Sequence, residues 1–118
     1  MTTLEELDQR TVVMTAINDL IEFINNASIE FNKVRFPTLQ PQRYELDGGR
    51  KYIRISDSHS VHCFVDALTG DVYKAASYKA PVKQPRYNLL DPVSLADLHR
   101  NWDPYGSYLY AYCAHLTR

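Results

Sequence analysis

Between Tyr44 and Ala76 the chain repeats a pattern that few folds can absorb. Short stretches with apolar residues at every second position are separated by turns of a few residues. Ile53 and Ile55 alternate with Tyr52 and Arg54, and Val61, Cys63 and Val65 alternate with His62 and Phe64. A period of two places successive side chains on opposite faces of a strand. Asp47-Gly48-Gly49, Asp57-Ser58-His59-Ser60 and Leu68-Thr69-Gly70-Asp71 fall between these stretches, each rich in residues that favour tight turns. Three short connections in a row predict an up-and-down antiparallel meander, because parallel neighbours need long crossovers. Phe31 to Phe36, closed by Pro37, reads as an additional strand, as does the stretch beginning at Tyr44 and Leu46. The expected sheet therefore occupies residues 31–76 in about four to five strands.

Ahead of this sheet the period is helical. Thr3-Leu4-Glu5-Glu6 is a capping box, and Leu7, Met14, Ile17, Ile21 and Ile24, widened by Val13 and Leu20, form one apolar stripe. The pattern predicts a helix over 4–25, stopped at Asn25-Asn26. Its stripe could pack on the sheet, or pair with another copy to form a homodimer through the N-terminal helix. One long helix on an antiparallel meander makes an α+β fold. Past Ala76, Pro81, Pro85 and Pro92 exclude an interior helix or central strand, so residues 77–92 read as a basic, proline-containing loop. Residues 94–118 read as a short helix reaching Trp102, a turn at Asp103-Pro104-Tyr105-Gly106, and a tyrosine-rich edge strand over Ser107–Cys113. At 118 residues the chain is expected to be one domain.

The net charge of -1 conceals a division. The first segment carries Glu5, Glu6, Asp8, Asp19, Glu22 and Glu30 against Arg10, whereas bases predominate from Phe31 to Leu90. The acidic helix could answer the basic sheet internally, or leave one sheet face positive for anionic partners. No stretch is apolar enough to span a bilayer, so no membrane partner is expected and the location reads as cytoplasmic. The 2 cysteines, Cys63 and Cys113, lack metal-site spacing and read as reduced thiols.

Where the alternation ends, Lys74, Lys79, Lys83 and Arg86 follow one another past two prolines, with Tyr73, Tyr78 and Tyr87 among them. Tyr52 and Arg54 share a sheet face and could extend that patch. Cations attract phosphate and tyrosine rings stack on bases, so these nine residues are the candidate ligand site. The competing structural reading is a solvated loop whose tyrosines cover the edge of the core. Catalytic signals are thin. His62 and Cys63 are adjacent on a strand and so face opposite ways, and Phe64 separates His62 from Asp66. His59 and His62 flank a turn and strand start, His99 and His115 have no evident partner, the 4 glycines fall in turns, and no serine has a nucleophile-elbow setting. Asp66 and Asp71 bracket a hairpin, and Asp91 and Ser94 stand where helix caps are expected. Neither metal nor cofactor is expected.

The runs Lys51-Tyr52-Ile53-Arg54-Ile55, Val61-His62-Cys63-Phe64-Val65-Asp66, Thr69-Gly70-Asp71-Val72-Tyr73-Lys74-Ala75-Ala76 and Lys79-Ala80-Pro81 resemble a group of small proteins encoded by tailed bacteriophages. The resemblance covers Arg50 to about Asp91. It implies an origin and carries no assigned activity. Small phage domains of this kind are often host-takeover or counter-defence proteins, acting in the host cytoplasm by holding a protein, a nucleic acid or a signalling nucleotide. The first expectation is therefore a non-enzymatic binder of nucleic acid or a nucleotide. The second is a protein-interaction module directed at a host protein, and a small hydrolase or nuclease ranks below both.

Overall fold

The computed structural model describes residues 4–41, 43–57 and 60–110, and its longest element is α1, Leu4–Arg35. Val13, Ile17, Leu20, Ile24 and Ser28 follow one another at helical spacing and form its buried line. This is the expected stripe, and it packs internally. The expected boundary at Asn25-Asn26 and the strand over Phe31–Phe36 are both replaced by ten further helical residues. Asn25 does not stop the helix because its side chain is used elsewhere. Its Nδ2 donates to the Tyr44 carbonyl (3.0 Å) and its Oδ1 accepts from the Tyr44 amide (2.7 Å), fastening the chain that leads into the sheet. The helix ends at Pro37, which disfavours helical geometry in Phe36, while Asn32 Nδ2 donates to the carbonyls of Phe36 and Leu39.

Five strands follow: β1 (Glu45–Leu46), β2 (Tyr52–Ser56), β3 (Val61–Asp66), β4 (Asp71–Lys74) and β5 (Tyr87–Asn88). They form one antiparallel sheet in the order β1-β2-β3-β4-β5, the predicted meander. Ile53 pairs with Val65 and Ile55 with Cys63, and Val65 with Val72. These residues form the face beneath α1, with Tyr87 beside them in the same core. β5 lies inside the stretch expected to be loop. It is a two-residue edge strand just after Pro85, where a missing amide is tolerated.

At the β3–β4 turn, Asp66 Oδ1 accepts from the amides of Leu68 (2.8 Å) and Thr69 (3.0 Å). Asn88 closes that end by donating to the Thr69 carbonyl and the Asp71 carboxylate. The second helix, α2 (Pro92–Asn101), has Asp91 as its N-cap and proline in its first turn. Ser94 caps a different group, accepting from the Asn88 amide at 2.8 Å. Leu98 enters the core and Phe23 stacks on His99 with centroids 4.0 Å apart, joining α2 to α1.

In place of the expected edge strand, Ser107–Leu109 is a short 3-10 helix, α3. Tyr108 and Leu109 are both buried there, which a strand's alternation would not allow. Thr3, His59, Cys113, His115 and the tail beyond Tyr110 lie outside the described residues. No helix among the described residues is long and apolar enough to cross a membrane.

Candidate open-face binding site

With α1 and the core on one side, the other face of the sheet carries Tyr52, Arg54, Phe64 and Tyr73. Arg54 pairs with Phe64, and Phe64 with Tyr73, across β2, β3 and β4. Tyr52 meets Tyr73 edge to face at 5.5 Å, and Lys51 Nζ stands 5.3 Å from the Tyr52 ring centre. Burial, aided by the negative charge of Asp71, raises the Tyr73 hydroxyl above its ordinary range, so it remains a neutral donor.

Beyond β4 the chain does not trail off as a loop. Ala75 bridges Pro81, and the amides of Ala76 and Ser77 both donate to the Ala80 carbonyl, closing a small hairpin with Tyr78 and Lys79 at its tip. Tyr78 OH donates to Asp47 Oδ2 (3.2 Å), and the Arg54 guanidinium lies 4.9 Å from its ring centre. Arg54 also donates from Nη2 to the Asp47 carbonyl at 3.1 Å. Because Arg54 lies level with Phe64 and Tyr73 in register, these contacts fold the hairpin tip over the open face as a strap. Phe64 is 1 % exposed although no helix among the described residues covers that face.

The strap borders two hollows. A cleft of about 720 Å³ separates it from the edge strand β1, with Arg43, Glu45, Asp47, Ser56, Asp57 and Ser60 around it and Tyr78 as one wall. A smaller hollow of about 300 Å³ continues from Ser60 and Tyr78 to Ala75 and Ala76. The larger cleft carries three carboxylates against Arg43, which pairs with Glu45 at 3.6 Å. β1 is the last strand on that side, so one of its backbone edges pairs with no strand among the described residues.

Of the nine candidate residues, Tyr52, Arg54, Tyr73 and Tyr78 converge on this face. Lys79 is exposed at the strap tip, and Lys83 is exposed in the bend that follows. Lys74 faces the other way, with its Nζ 4.8 Å from the Tyr110 ring centre. Arg86 is structural: Nε donates to the Leu109 carbonyl (2.7 Å) and Nη1 to the Gln84 carbonyl (2.8 Å). Tyr87 is a core residue whose OH donates to the Tyr108 carbonyl at 3.1 Å. The four bases of the segment thus do not form one cationic patch. The residues that sequence reasoning missed are the carboxylates Glu45, Asp47 and Asp57 beside the strap; no motif marks them, because they come from β1 and from the two connections flanking β2.

His62 belongs to a different cluster. A bulge leaves His62 unpaired between the Ser56–Val61 and Ile55–Cys63 pairings and turns the ring toward the core rather than toward Phe64. Its Nε2 is hydrogen-bonded to Tyr108 OH at 2.7 Å, with Tyr44 and Trp102 completing the cage. Burial pulls His62 down to about 4, opposed by the charges of Asp103 and Asp57. Burial likewise pushes the Cys63 thiol up to about 12, which removes its nucleophilic form near neutrality. The indole nitrogen of Trp102 and the Asn101 amide nitrogen are buried without an acceptor, which costs the cage part of what its packing contributes. These are properties of a packed core. No group of three or more His, Cys, Asp or Glu among the described residues is placed to hold a metal ion.

No curated protein and no solved structure matches this chain. A family of unknown function (DUF7717) matches residues 2–111, nearly the whole length, and the chain belongs to that family.

Proposed function

We propose that the chain is a non-enzymatic binding module whose partner is a protein segment laid in extended form along β1. Two observations carry this reading together: the unpaired outer edge of β1, and the cleft that runs from β1 past the end of β2 to Tyr78, with Glu45, Asp47 and Asp57 around it. An extended peptide can add to an open sheet edge through its main chain, with alternate side chains entering flanking hollows. The carboxylates select a lysine or arginine at such a position and repel phosphate, and the Tyr78 ring offers a face to a cation. In the phage setting that the sequence resemblance implies, the partner is a host protein held for takeover or counter-defence.

A second reading, binding of single-stranded nucleic acid or a nucleotide, rests on the Tyr52–Tyr73 pair with Lys51 above it and Lys79 on the strap. Tyrosines on an open sheet face with cations nearby are what base stacking and phosphate contact use. The two readings separate in one NMR titration of the labelled protein. An alternating Lys-Thr peptide should shift Glu45, Leu46, Asp47 and Tyr78, and a Glu-Thr peptide should not. An oligothymidylate that instead shifts Tyr52, Tyr73 and Lys51, and is lost steeply with salt, would replace the first reading by the second. Silence with all three would remove both.

A further inference from the structure

We infer that α1 also joins two copies of the chain, the start of one helix seating in the groove beside the end of the other. At about 1.5 Å per residue the helix is roughly 48 Å long, close to the 50 Å long axis of the whole molecule. Its buried line covers only Val13 to Ser28, so both ends overhang the sheet. The two overhangs differ in a complementary way. The start presents Leu4 (80 % exposed) and Leu7 (50 % exposed) among the acidic side chains Glu5 and Asp8. The end carries the basic Lys33 and Arg35 in its last turn. Beside it, Phe31, Phe36, Leu39, Pro104 and Tyr105 line a groove of about 300 Å³, with Leu39 61 % and Tyr105 73 % exposed.

Leucines in an acidic setting at one end thus answer an aromatic groove with basic neighbours at the other. Among the described residues Lys33 is held only by an exposed pair to Glu30 at 3.3 Å, which is weak enough to exchange for a partner's carboxylate. Two antiparallel helices satisfy both ends at once, and the reciprocal contact closes as a two-fold dimer. The middle of α1 contributes little, because its apolar line already faces the core and its outer positions Thr15, Asp19, Glu22 and Asn26 are polar. Such a contact, made at two small patches, belongs to the weak, concentration-dependent class. It uses none of Glu45, Asp47, Asp57 and Tyr78, the residues on which the proposed peptide site rests, and so stands independently of that site.

The test is light-scattering mass of the full-length protein from micromolar to millimolar concentration. The expected result is a monomer–dimer equilibrium that weakens with salt. Leu4→Glu with Leu7→Glu, at exposed positions that leave the melting temperature unchanged, should weaken association by about tenfold or more. Glu5→Lys with Asp8→Lys should also weaken it, as should Lys33→Glu with Arg35→Glu. Combining the two charge reversals in one chain should restore the dimer. A monomer throughout, species that grow beyond a dimer, or a dimer indifferent to the leucine pair and the charge reversals would overturn the inference.

Discussion

His62 shows how a residue's surroundings decide its chemistry. In the sequence it stands beside Cys63 and near Asp66, as a reactive group might. In the fold it is walled in by Tyr44, Trp102 and Tyr108, and its ordinary 6.5 falls to about 4. As pH drops through about 6.5 the unfolded chain binds a proton on this ring, whereas the folded chain resists until about 4. Stability from this group is therefore full above that window and is lost as pH falls through it, by on the order of 3 kcal/mol. Melting temperatures of the wild type should decline across the window. In His62→Gln, which keeps a polar partner for Tyr108, the decline should flatten; an undiminished slope would place the titration elsewhere. Residue identity alone could not reveal this, because the β2–β3 bulge that turns the ring inward breaks the alternation from which its face was predicted.

Among the elements, the turns and the central strands were the most legible. Asp47-Gly48-Gly49, Asp66 to Asp71 and Asp103 to Gly106 lie where the sequence puts them, since their chemistry is local. The β1–β2 connection offers a graded check. Gly49 has φ +111, and a Cβ there would come within 2.0 Å of the Tyr52 carbonyl oxygen. Gly106 has φ +77, but its Cβ would meet nothing within 4 Å. Gly106→Ala should therefore cost about 1 kcal/mol in a denaturant titration, from left-handed geometry alone. Gly49→Ala should cost several times as much, and equal losses would mean that the close approach is relieved without penalty. Longer-range choices were less legible. Residues 29–35 fit a helical period as well as a period of two, and the length of α1 was settled by Asn25 reaching across to Tyr44. β5 escaped notice because two residues next to a proline carry no periodic signal.

For the whole molecule, the sequence named Tyr78, Lys79 and both tyrosines of the open face, yet it read the strap as loop and grouped these residues with Arg86 and Tyr87, which the core had already claimed. Nearness in sequence was mistaken for convergence in space. The carboxylates that give the cleft its charge come from β1 and the two connections flanking β2, and the hairpin closed by Ala75 and Pro81 brings Tyr78 to them. The strand order has a further, kinetic consequence. Every strand pairs with its neighbour in sequence, so the sheet can zip up through short loop closures that cost little entropy. α1 is held by contacts spanning much of the chain, among them Gln9 to Leu68 and Arg10 to Arg50. Seating that one helix is then the slow step of folding, and backbone amides of β3 should outlast those at either end of α1 in hydrogen exchange.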